Sequence, residues 1–91
     1  MSVRFEFLGP LKAIVAGQEA VELEAGTVAQ ALEELNKTYD GLAQRLQEES
    51  GSLHRHINIY VNEEDIRLKE NLQTTLAPGD VVTVISAIAG G

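Results

Sequence analysis

Two residues without side chains, Gly90 and Gly91, follow Ile88 and Ala89 at the end of the sequence. Glycine has no Cβ, so a Gly-Gly pair threads a channel too narrow for other residues and adopts any backbone angle. What such a stalk presents is an α-carboxylate. With a pKa of about 3.3–3.7 it is ionised at pH 7 and is a poor electrophile until something activates it. Residues 88–91 reach at most roughly 13 Å from the point where they leave the domain. The pattern points to a carboxylate delivered on a thin, flexible tail into the active site of another protein. Residues 1–87 are then expected to form the domain, and 88–91 its tail.

The other residue types capable of chemistry are poorly arranged for it. His54 and His56 are two apart, which on a strand places them on one face. No carboxylate accompanies them at a ligand spacing, so no metal site is expected. Asp40, Asp65 and the pairs Glu33–Glu34, Glu48–Glu49 and Glu63–Glu64 fall on polar faces and turns, where solvated charge is the default. The chain has no Cys, which excludes disulfides, thiolate metal sites and a cysteine nucleophile. There is no Ser–His–Asp order and no glycine-rich phosphate loop.

The elements that must carry the tail are readable from periodicity. SVRFEFL alternates, with Val3, Phe5 and Phe7 on one face and Arg4 and Glu6 on the other, as in a half-buried strand. Gly9-Pro10 ends it, and a connection follows through Leu11 and Ile14. EAVELE alternates again, with Val21 and Leu23 inward, and pairs with the first strand as a long-looped hairpin. Thr27 and Gln30 form a capping box, after which Val28, Ala31, Leu32 and Leu35 make one helical apolar stripe. Leu42 and Leu46, four apart, suggest a short second helix.

HINIYVN predicts a strand with Ile57, Ile59 and Val61 inward and His56, Asn58 and Tyr60 outward. NEED is a polar turn, and IRL a short edge strand. Pro78-Gly79-Asp80 is a strong turn signal. The final strand, VVTVISA, is largely apolar on both faces, which places it centrally in a sheet or against something on its second side. Val82 and Val84 either face the helix or, if the core takes Val81, Thr83 and Ile85, form a partner surface together with Tyr60. The sum is an α+β fold: a mixed sheet of four to five strands grasping one main helix.

Composition is consistent with one small globular domain. The chain has 91 residues, 44% hydrophobic and 23% charged, with a net charge of −7. The seven basic residues are scattered, which argues against direct binding to nucleic acid. No apolar run approaches the roughly 20 residues of a membrane span, and no signal peptide is visible. A cytoplasmic location without membrane contact is expected.

VRFEF, the capped helix, HRHINIYVNEEDIR, PGDVVTVI and the terminal AIAGG occur in that order. Together they resemble the ubiquitin-like β-grasp proteins and, within them, the prokaryotic sulfur carriers of the ThiS/MoaD family. The resemblance covers the whole chain. No Arg precedes the glycines, unlike in ubiquitin, which favours the carrier branch over the eukaryotic modifier branch. Chain length and the block LHRHINIYVNEEDIR resemble most the CysO type, whose sulfur goes to cysteine biosynthesis. ThiS proteins proper are usually shorter and lack the insertion around 42–53; the small subunit of molybdopterin synthase is the alternative.

The resemblance implies an ATP-dependent activating enzyme of the MoeB/ThiF type that adenylates Gly91. A sulfur donor then displaces AMP and leaves a thiocarboxylate, which is passed to a sulfur-accepting synthase. Ile88, Ala89 and Gly90 would occupy the partner's channel. The chain would be a protein cosubstrate with no catalytic residues and no bound cofactor, the ATP being held by the partner. A reading from another class is a β-grasp docking module whose tail is idle.

Overall fold

The computed structural model describes residues 2–86. The tail residues Ile88, Ala89, Gly90 and Gly91, on which the expected chemistry falls, lie outside the described residues.

Five strands and two helices follow one another as β1 (Val3–Phe7), β2 (Ala20–Leu23), α1 (Val28–Thr38), α2 (Leu42–Leu46), β3 (Ile57–Val61), β4 (Glu64–Asp65) and β5 (Val81–Ser86). They form one mixed sheet in the order β2-β1-β5-β3-β4. β1 and β2 pair antiparallel, as the hairpin reading requires. β5 enters between β1, to which it is parallel, and β3, to which it is antiparallel. The last strand is thus central, as its doubly apolar composition implied.

The helix starts where its cap predicts. The Thr27 hydroxyl accepts from the Gln30 N–H at 3.2 Å, satisfying one of the orphan donors of the first turn. The reciprocal arm differs slightly from the expected box, since the Gln30 amide oxygen accepts from Gly26 N–H at 2.9 Å, one residue before the cap. Val28, Ala31, Leu32 and Leu35 are all buried, in one core with Val3, Phe5, Phe7, Ile57, Ile59 and Val61. Leu42 and Leu46 complete the same core from α2. Replacing Leu32 by Ala is expected to cost about 2–5 kcal/mol in chemical denaturation; a cost near zero would contradict this packing.

Two connections are more ordered than the sequence implied. Residues Gly9–Val15 form a 3-10 helix that buries Leu11 and Val15, and Leu8 N–H continues the ladder to Val84 O at 3.0 Å. The segment IRL is not an edge strand. Strand β4 is only Glu64–Asp65, and Ile66–Leu68 turns into a 3-10 helix because the Asp65 carboxylate accepts from Arg67 N–H at 2.8 Å. That turn also drives Ile66 into the core, 1% exposed.

The face of β5 requires a correction. Val82 and Val84 are 0% exposed and are not a partner surface. Register explains this: Val82 stands beside Phe5 and Val84 beside Phe7, so all four share the inner face under α1. The alternate residues Val81, Thr83 and Ile85 therefore point to the open side, where they are half-buried.

Candidate functional site

The strand that leads to residues 87–91 ends at Ser86, in the middle of the sheet. Its surroundings are set by register. Ile57 stands opposite Ser86 and Asn58 opposite Ile85, while β1 accompanies β5 only as far as Phe7 beside Val84. The exit is therefore flanked by the end of β1 with its 3-10 connection, and by the first turn into β3.

That turn carries the two histidines. They precede the strand and do not lie on it. Ile57 N–H donates to His54 O at 3.0 Å, and His54 N–H donates to Leu46 O at 2.9 Å. The rings of His54 and His56 stack with centroids 5.3 Å apart, and the Glu48 carboxylate is 3.8 Å from His54 Nδ1. Among the described residues no group of three or more His, Asp or Glu side chains stands close enough to hold a metal ion.

From the exit a continuous strip runs along the outer face of the sheet. Ile85, Thr83 and Val81 form its spine, with Tyr60 beside Thr83 on the neighbouring strand. Tyr60 thus keeps its predicted outward position, half-buried. One flank is charged: Arg4 pairs with Glu6 at 3.0 Å and approaches Glu22 at 3.7 Å. The other flank is Asn58, Asp65 and Arg67. These surface pairs contribute little to stability, but they frame an apolar centre with a polar rim, the usual anatomy of a protein-docking surface. The sequence left open whether Val81, Thr83 and Ile85 or Val82 and Val84 face outward, because the two faces of this strand are almost equally apolar.

At the far end, two motifs that carried the sequence resemblance prove to be one hydrogen-bonded device. Asn62 Nδ2 donates to Asp80 Oδ1 at 2.8 Å, and Asn62 Oδ1 accepts from Val81 N–H at 3.0 Å. Asp80 also accepts from Ala77 N–H at 2.8 Å, closing the Pro78-Gly79 turn. Asn62 and Glu63 both take positive φ, 51° and 74°, the pairing that a tight hairpin between right-twisted strands demands. Asn62 and Asp80 therefore start β5 in register, at the end opposite the exit. The acidic residues Asp40 and Glu33–Glu34 lie off this strip, on α1 and the turn after it. Among the described residues no helix is long and apolar enough to cross a membrane.

A mixed five-strand sheet with β5 inserted between β1 and β3, one helix across the inner face and an open outer face defines a ubiquitin-like β-grasp protein. The sequence matches the ThiS family over residues 5–91, and the chain belongs to that family. It is 41% identical over 83 residues to the sulfur carrier protein CysO of Mycobacterium tuberculosis, covering 89% of each chain. It is 32% identical over 94 residues to small archaeal modifier protein 3 of Haloferax volcanii, with both chains fully covered. Among solved structures it is similar to a chain in the crystal structure of the Amycolatopsis orientalis BexX/CysO complex. The TM-score there is 0.89 at 34% identity, covering 98% of this chain and 99% of that one.

Proposed function

We propose that this chain is a sulfur carrier protein of the CysO type, serving cysteine biosynthesis as a cosubstrate. The observation that carries the reading is the family match running through residue 91, joined to a sheet whose central strand leads directly to that segment. In this reading the Gly91 carboxylate attacks the α-phosphorus of ATP held by an activating enzyme of the MoeB/ThiF type. Pyrophosphate leaves, and a glycyl adenylate remains. A sulfide-equivalent donor then attacks the carbonyl carbon and AMP leaves with the electron pair of the broken C–O bond. The product is a thiocarboxylate, whose sulfur is nucleophilic and passes to a sulfur-accepting synthase.

The chain's own part in this is geometric. Gly90 and Gly91, with Ala89 and Ile88 behind them, supply a stalk without bulk. The strip Val81, Thr83, Ile85 and Tyr60 supplies the docking face beside the stalk, replacing the face through Val82 and Val84 first expected. No residue of the chain transfers a proton or holds the nucleotide; those roles fall to the partner. The CysO relatives support the cysteine route over molybdopterin synthesis.

ATP–pyrophosphate exchange by the cognate activating enzyme tests the reading. Exchange should depend on added carrier and saturate with it. Exchange that proceeds equally without the chain would leave the docking-module reading in its place.

A further inference from the structure

Arg67 lies in the sequence block that carried the family resemblance, yet the function above gives it no task. Its position is unusual. Ile85 and Ser86, the last described residues before the tail, have β1 on neither of their register positions, because that pairing stops at Val84. Their sheet partners are Asn58 and Ile57 of β3. On its other side β3 meets β4 only at Tyr60 and Val61. Among the described residues, no strand covers the outer edge of β3 at Ile57 and Asn58.

The Arg67 guanidinium occupies that edge. Nη2 donates to Ile57 O at 2.8 Å and approaches His54 O at 3.4 Å, while Nη1 donates to Asn58 Oδ1 at 2.8 Å. One planar fork thus takes the place of a missing strand. It spans the turn at His54, the first residue of β3, and the side chain beside Ile85 on the docking face. Arg67 is itself held in place: Asp65 accepts its N–H, and the preceding Ile66 is locked in the core. A chain of support runs from Arg67 through Ile57 and Asn58 to Ile85 and Ser86.

We infer that Arg67 is a positioning residue for reaction at Gly91, holding the end of β5 so that docking on the sheet and entry of the tail occur together. This rests on the sulfur-carrier reading. Once a partner holds both the sheet face and the tail, the end of β5 fixes where the tail begins relative to the docked face, and a displacement of about 1 Å at a reacting group can cost roughly a hundredfold in rate.

The test uses the full chain with Arg67→Ala, Arg67→Lys and Arg67→Gln, measured by ATP–pyrophosphate exchange at varied carrier concentration and by amide hydrogen exchange. Each variant should lower kcat by roughly 10–100-fold and leave KM within about twofold, since Arg67 stands on the polar rim of the docking strip, where truncation alters affinity little, and the spine Val81, Thr83 and Ile85 keeps its residues. Arg67→Lys should fail too, because it keeps the charge and loses the fork. Amide exchange across Asn58 and Ile85 should quicken in every variant. Should Arg67→Ala not fold, the Lys and Gln variants decide. An unchanged kcat, full activity of the Lys variant, or a raised KM at constant kcat would overturn the inference, the last because Arg67 would then be a direct partner contact. If the unaltered chain supports no exchange, the sulfur-carrier reading falls separately, and amide exchange still decides whether Arg67 holds the end of β5.

Discussion

Removing Gly91 is expected to abolish adenylation and leave the thermal melt unchanged. The domain that melts is the sheet and its helix, and among the described residues its core runs from Val3 to Val84. The reaction, by contrast, depends on reach. One residue fewer draws the carboxylate back by roughly 3.3–3.6 Å, whereas reacting atoms must stand about 3–3.5 Å apart and aligned. Gly90→Val is expected to fail for a different reason: a β-branched side chain adds bulk and stiffens the stalk. A residue appended after Gly91 should block the reaction as well, because the Gly91 carboxyl becomes an amide and the new terminal carboxylate stands roughly 3.3–3.6 Å too far along the chain. ATP–pyrophosphate exchange with parallel melts measures all three. A variant lacking Gly91 that exchanges at the unaltered rate would remove the tail from the mechanism.

Aspartate at two adjacent positions of β5 should produce opposite failures. Val84 is 0% exposed, between Phe7 on β1 and Ile59 on β3. A carboxylate there has no partner, and an unpaired buried charge costs several kcal/mol on the order of the whole stability of a small domain. Val84→Asp should therefore be unfolded at ambient temperature, as read by circular dichroism. Ile85 points to the open face, so Ile85→Asp should fold with a normal melt. It should instead weaken docking, raising the KM for the activating enzyme at least about tenfold, the size of effect a central interface residue carries. Equal behaviour of the two variants would mean that the face assignment, and with it the docking strip, is wrong.

That face assignment marks where the sequence stopped being informative. β1 and β3 alternate cleanly, and every residue placed inward from them is buried: Val3, Phe5, Phe7, Ile57, Ile59 and Val61. The helix was equally legible, because Thr27 supplies a cap and the stripe that follows has a single period. β5 offers Val81, Thr83 and Ile85 against Val82, Val84 and Ser86, two faces of nearly equal hydrophobicity. Its phase is decided by pairing with β1 and β3, which no local window contains. Arg67 was hidden for a related reason. Its partners His54, Ile57 and Asn58 are 9 to 13 residues away and are mostly backbone carbonyls, which leave no trace in residue type. The 3-10 connection did leave a signal, Leu11 and Val15 four apart, but Gly9-Pro10 read as a break. The segment Ile66–Leu68 looks like a strand until Asp65 caps its backbone.

The central claim is that Gly91 carries sulfur, and intact mass tests it most directly. The chain is produced together with its activating enzyme and a sulfur source, then weighed whole and after tail-directed fragmentation. A species heavier by about 16 Da, the exchange of one oxygen for sulfur, should appear and localise to the C-terminal fragment. It should vanish when Gly91 is deleted or when the activating enzyme is omitted. Finding only the unmodified mass with an activating enzyme shown to be competent, or finding the added mass outside the C-terminal fragment, would contradict the account.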